Sequence, residues 1–119
     1  NAAQRNEGRA QRAPARFDVS DPANLKKMNL VEELVLIADE VGVTLAQLSL
    51  AWVLHHPGVT SAIIGPRIME HLTTVLGADQ VVLSSAVLDR IDALVAPGTT
   101  VAPDEARWET PALRAENRR

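Results

Sequence analysis

Residues 60–72 read TSAIIGPRIMEHL, and how this stretch is read decides the fold. With Val59 in front of it, the run to Ile64 is short, β-branched and unalternating. That is the profile of a parallel strand buried on both faces. Gly65-Pro66-Arg67 breaks the run, and Ile68, Met69, Leu72, Val75 and Leu76 then recur at helical spacing until Gly77. Strand, glycine turn and helix start, in that order, gather free backbone N–H groups and the positive end of a helix dipole around one place, which favours an anion. Gly65 offers backbone without a Cβ, Pro66 fixes the turn, and the guanidinium of Arg67 matches phosphate oxygens. Three residues alone leave a second reading open, a tight turn with a solvated arginine.

On the N-terminal side, Thr44-Leu45-Ala46-Gln47 is a capping box. The helix it opens, Leu45 to His56, is apolar nearly all round and should be sandwiched inside something larger, with Trp52 in the core by its spacing. Pro57-Gly58 ends it. Adjacent His55 and His56 point about 100° apart on a helix and do not chelate one metal. Before this helix, Asp21-Pro22 is a helix start, and Leu25, Met28, Val31 or Glu32, Leu34, Val35, Ala38 and Val41 recur at helical spacing up to a left-handed cap at Gly42. Residues 1–20 carry four arginines and no periodicity, which reads as a solvated, flexible lead-in.

On the C-terminal side, Ser84 caps a helix whose inner face is Val87, Leu88, Ile91, Leu94 and Val95, and Pro97-Gly98 stops it. Residues 97–119 read as a tail with Trp108 as its one anchor. "QVVL", Gln80 to Leu83, is the only other weak strand candidate. One buried parallel strand among helices is a slice of an α/β fold and not a self-sufficient one.

The totals narrow the function. The chain has 119 residues and a net charge of −3, so no global attraction to nucleic acid or anionic membranes is expected. No apolar run approaches a membrane span, and the N-terminal residues lack the apolar core of a secretory signal. Absence of cysteine excludes thiolate chemistry and suits a cytoplasmic location. Tyrosine is missing as well, which removes one common general acid. The first residue is Asn1, and the chain is expected to be a piece of a longer product.

At GVTLAQLSLAWVLHHPGVTSAIIGPRIMEHL, Gly42 to Leu72, the sequence resembles the C-terminal part of an aldo/keto reductase of bacterial type. The likeness continues through LSSAVLDRIDALV (83–95), runs back to Arg16, and extends along the tail to Leu113. It implies an α/β fold, the C-terminal part of a (β/α)8 TIM barrel that is mostly helical with one or two short strands. Residues 1–20 would be the loop after the seventh barrel strand. Residues 21–96 would carry an extra helix, helix 7, strand 8 at Ile63-Ile64, helix 8 and a second extra helix. Residues 97–119 would be the tail, with Trp108 latching it to the barrel.

The resemblance also implies the chemistry. Similar reductases use NADP(H) to convert aldehydes and ketones to alcohols, and an arginine at the place of Arg67 meets the adenosine 2′-phosphate. Gly65 and Pro66 would form the backbone cradle. Where the family commonly has Gln or Arg against the phosphate stands His71, and where it commonly has an adenine-binding Asn stands Val75. These departures weaken adenine recognition and leave the 2′-phosphate contact in place. The family's catalytic tyrosine, lysine, aspartate and histidine lie ahead of the matched region, so no catalytic residue is assigned and the chain alone is expected to be inactive. A metal, nucleic acid or membrane partner is not expected.

Two other readings come from the residues. VEELVLIADEVGVTLAQLSLAWV has the helix–glycine turn–helix layout of a DNA-binding motif, but the would-be recognition helix carries no lysine or arginine. A helical interaction module would explain the helices and leave Thr60 to Ile64 without a role.

Overall fold

The structure, a computed structural model, describes residues 9–102. Trp108 and the rest of the expected tail lie outside the described residues. Among the described residues five α-helices follow one another: α1 (Arg9–Arg12), α2 (Pro22–Val41), α3 (Leu45–His55), α4 (Met69–Val75) and α5 (Ser85–Leu94), with 3-10 turns at Pro14–Phe17 and Ala78–Gln80. The chain divides into two compact units. One contains residues 9–29 and 97–102 of the described chain, the other Leu30–Ala96.

In the first unit, the expected irregular lead-in is partly built. Residues 9–12 make a helical turn and residues 14–17 a 3-10 turn. Asn24, only 4% exposed, pins the second of these through its side-chain amide, which donates to the Ala15 carbonyl at 2.7 Å and the Asp18 carbonyl at 3.0 Å. A buried amide is stable only with such partners. Asp21 caps α2 as its sequence requires, Oδ1 accepting the Ala23 N–H at 2.9 Å.

The second unit holds the core. Ile37 and Ala38 from α2, Leu48 and Ala51 from α3, and Leu83 from the segment before α5 are buried together. Leu34, Val41, Val43, Val87, Leu88, Ile91 and Leu94 pack around them. The α2–α3 connection is fixed locally at both ends. Gly42 takes φ +79°, the Val43 N–H reaches the Ala38 carbonyl at 3.0 Å, and the Gly42 N–H reaches Asp39 at 3.1 Å. This Schellman arrangement satisfies the last carbonyls of α2 and turns Val43 onto the core. The Thr44 hydroxyl then accepts the Gln47 N–H at 3.2 Å, and the Gln47 side chain accepts the Thr44 N–H at 3.1 Å. Thr44→Ala removes half of this reciprocal cap. It is expected to cost about 1 kcal/mol in a denaturant titration, whereas Thr44→Ser is expected to be nearly neutral.

Ser84 likewise caps α5, accepting the Val87 N–H. Arg90 of α5 grips Glu40 of α2 with both guanidinium nitrogens. That hydrogen bond holds the Glu40 carboxyl below its ordinary value. A depressed folded-state value makes the contribution present above the unfolded carboxylate range and lost as pH falls through the folded one. Both side chains are about half exposed, so solvent screens most of it.

Three sequence expectations fail here. Among the described residues there is no strand, either at Val59 to Ile64 or at Gln80 to Leu83. A strand exists through hydrogen bonds to a neighbour, and no other extended segment among the described residues pairs with residues 59–64. Ile63 is therefore fully exposed rather than buried on two faces. Second, Trp52 is 46% exposed and not core. Third, Leu25, Val31 and Val35 of the expected α2 stripe are exposed, while Ile37, off that stripe, is buried. Residues 34–38 of α2 are apolar without a break, so the sequence offers several stripes and the packing partner selects one. Among the described residues no single helix is long and apolar enough to cross a membrane.

Candidate functional site

The stretch that opened the sequence reading borders a recess. Leu45–His55 is a helix with two working faces. At about 100° per residue, Leu48 and Ala51 point one way and Ala46, Ser49, Leu50 and Val53 point about 180° away. The first pair enters the core. The second set forms one wall of a recess of about 380 Å³. Its other wall comes from Ile64, Gly65 and Pro66 and from His71 and Val75 of α4. The helix that is apolar nearly all round thus has a use for both faces, one buried and one lining a concave surface.

Of the four expected cofactor-binding residues, Gly65, Pro66 and His71 line this recess together. Arg67 does not line it. Arg67 is exposed next to that wall and, among the described residues, makes no ion pair. The helix start differs from the expectation as well. α4 begins at Met69 with Ile68 as its cap residue and no side-chain cap, and it has only seven residues. The dipole of so short a helix is weak, and Arg67 lies before its first turn. The charge available to an anion here therefore comes from side chains more than from the helix end.

Gly65 lacks the positive φ of Gly42, Gly77 and Gly98. A Cβ built on Gly65 meets nothing within 4 Å. Neither strain nor crowding within the protein explains the glycine, and the absent side chain leaves open space beside the recess. Gly65→Ala is expected to leave folding stability unchanged or raised by about 0.5 kcal/mol, and to weaken a ligand seated against this backbone. Gly42→Ala, at φ +79°, is expected to cost about 1–2 kcal/mol instead. Thermal denaturation of both variants separates the two glycine roles.

The lining is mostly apolar, with few polar groups. Leu50, Val53, Ile64, Pro66 and Val75 supply apolar wall, suited to a ring face. His71 and nearby Arg67 are the groups able to meet an anion. Ser49 is less available, since its hydroxyl donates to the Leu45 carbonyl at 2.8 Å. Val75 brings no hydrogen bond, in line with the departure noted from sequence. His56, weighed as a metal ligand, uses its Nδ1 to accept the Gly58 N–H at 3.1 Å. None of the wall residues Ala46, Ser49, Leu50 and Val53 was expected from sequence as a site residue. Their signal is the second apolar face of α3, at i, i+3, i+4 and i+7, opposite Leu48 and Ala51.

Comparison with known proteins bears on the same segment. The model of the Aldo/keto reductase family matches residues 1–96. The match begins ahead of Arg16, where the quoted likeness starts, and ends at residue 96. A probable voltage-gated potassium channel subunit beta of Arabidopsis thaliana is 34% identical over 90 residues, covering 68% of this chain and 27% of that protein. A protein of the same name from Oryza sativa subsp. japonica is 35% identical over 92 residues, covering 70% of this chain and 28% of its own length. The chain thus spans little more than a quarter of the length of these curated relatives. No solved structure matches it. With a family match over most of its length, the chain belongs to the aldo/keto reductase family.

Proposed function

We propose that this chain forms the cofactor-binding C-terminal part of a cytoplasmic, NADP(H)-dependent oxidoreductase that interconverts aldehydes or ketones and alcohols. In the whole protein, residues 59–64 become the last strand of a TIM barrel, and the segment that is unpaired here gains its neighbours. The observation that carries the reading is the meeting of Gly65, Pro66 and His71 in one recess, with the exposed Arg67 beside it. Gly65 and Pro66 present backbone to the nucleotide, Arg67 binds the 2′-phosphate, and His71 faces the same anion. The nicotinamide supplies hydride chemistry when bound. A chain without tyrosine does not donate the proton that the family takes from that residue, so this segment binds and orients.

The test has two parts. The coding DNA upstream of Asn1 is expected to continue in frame into a segment carrying the catalytic tyrosine. The protein so encoded is expected to bind NADPH more tightly than NADH in a fluorescence titration. A stop codon directly upstream, or equal affinities, overturns the proposal.

The helix-turn-helix reading has less support. α3 turns one face into the core and the opposite one to the recess, which leaves no basic face for DNA. The name carried by both relatives favours a second role beside the first, association of the whole protein with a membrane channel. Co-purification with a co-expressed potassium channel tests it, and separation of the two on gel filtration counts against it.

A further inference from the structure

The connection from α3 to α4 has an unusual backbone. The Val59 N–H donates to the His56 carbonyl at 2.9 Å, and the next backbone bond runs from the Leu72 N–H to the Ile68 carbonyl at 3.3 Å. Between them, the N–H and C=O groups of residues 60–67 pair with nothing among the described residues. Residues 61–66 form neither helix, turn nor strand, and every residue from Ile63 to His71 is exposed. An endopeptidase needs such a stretch, because it draws its substrate in as an added strand and bonds to free main-chain groups on both sides of the cut. Helical backbone has those groups engaged and must open first. Arg67 stands in the middle of the stretch, exposed and, among the described residues, without an ion pair. Proteases of the trypsin class select such a side chain through a carboxylate at the base of their specificity pocket. The unit Leu30–Ala96 contains one other arginine and no lysine. That residue, Arg90, lies inside α5 and is bound to Glu40, so it supplies an internal comparison.

We propose that the Arg67–Ile68 peptide bond is a processing site for a trypsin-like endopeptidase, cut in the folded chain without prior unfolding. Hydrolysis adds water across that amide. The Arg67 carbonyl carbon gains the hydroxyl and becomes a carboxylate with loss of a proton, while the Ile68 nitrogen takes the other hydrogen and leaves as an amine. The cut divides the recess, since Gly65 and Pro66 stay with α3 while His71 and Val75 go with α4. Processing here would therefore dismantle the concave surface without touching the Thr44 or Ser84 caps. The inference stands on free backbone and is independent of the cofactor reading. Where a longer protein gives residues 59–64 their neighbours, the bond still lies beyond the end of that segment, after the Gly65-Pro66 turn.

The experiment digests the 119-residue chain with a small amount of trypsin and times the new chain ends by mass spectrometry. The unaltered chain is compared with Arg67→Gln and Leu48→Ala. Ends at Arg67 and Ile68 are expected at least about tenfold faster than ends at Arg90 and Ile91, because only the second bond requires a helix to open. Leu48→Ala loosens the core on which α5 packs. It is expected to speed the Arg90–Ile91 cut about tenfold or more and to change the Arg67–Ile68 cut less than about twofold. Arg67→Gln is expected to abolish the first cut and to leave the rate of the second unchanged, which shows that the unit is intact. Equal rates at the two bonds of the unaltered chain overturn the inference. So does an equal acceleration of both cuts by Leu48→Ala, since cleavage then passes through unfolding and not through the native segment.

Discussion

Leu48→Ala is expected to cost the Leu30–Ala96 unit about 3 kcal/mol, with most of the helical circular dichroism signal lost at 25 °C. Leu48 is 1% exposed and is the largest side chain buried so completely. It sits between Ile37 and Ala38 of α2 and Leu83 ahead of α5. Leucine-to-alanine changes in cores cost about 2–5 kcal/mol, the removed methyl groups adding to the cavity left behind. The upper half of that range applies when the surroundings do not collapse. Here the neighbours are fixed by the Schellman turn at Gly42 and the capping box at Thr44, so collapse is hindered. A whole domain is stable by only about 5–15 kcal/mol, and a core of five clustered residues belongs at the low end. The control is Trp52→Ala. That residue is larger but half exposed, and its loss is expected to cost about 1 kcal/mol or less. If the two substitutions cost the same, the assignment of α3's inner face is wrong.

The same helix shows where a sequence speaks for itself and where it does not. Thr44 with Gln47, Ser84 with Val87, Asp21 with Ala23, and the left-handed turns at Gly42 and Gly77 all appear as their residues require. Each is closed within about three or four residues, so its partners are adjacent in the text. The face that α3 buries is not local. Leu45, Leu48, Trp52 and His55 make as good a stripe as Leu48 and Ala51, and apolar residues elsewhere on the helix give periodicity little to discriminate. The deciding contacts come from Ile37 and Leu83, eleven and thirty-five residues away. Trp52 lies about 70° round the helix from the core direction, at 100° per residue, and stays in solvent. Asn24 follows the same logic: nothing in its own neighbourhood announces that it will fasten a turn nine residues back.

Residues 59–64 are the extreme case, because a strand is a relation between segments. Their composition gives β preference, but a β preference is realised only against a pleated neighbour. The sequence therefore reads as strand, while the segment here pairs with no neighbour among the described residues and leaves Ile63 fully exposed. Gly65, Pro66 and His71 still meet at one recess, because the turn and α4 that place them are short-range structures supported by α3. What the sequence did not give was the recess wall from α3 and the position of Arg67, beside the recess instead of in it.

Arg67→Ala is expected to reduce the preference of the full-length protein for NADPH over NADH by about tenfold or more, with NADH affinity changed less than twofold. A charge-assisted hydrogen bond contributes about 1.5–3 kcal/mol, which corresponds to about tenfold at its lower end. Arg67 is exposed, and solvent screening places the estimate at that end. Among the described residues no carboxylate competes for the guanidinium, so the side chain needs no release before it binds. The position ahead of the short α4 sharpens the expectation. With little helix dipole to share the work, the arginine carries a larger fraction of the anion's attraction than it would at a long helix. Arg67→Lys tests the geometry separately: it keeps the charge but loses the planar fork, and an intermediate loss is expected. Raising ionic strength is expected to erode the preference of the unaltered protein and to leave that of Arg67→Ala nearly flat, since the screened charge is then already gone. An alanine variant whose affinities for both cofactors fall in parallel would place Arg67 in the structure of the loop and not against the 2′-phosphate.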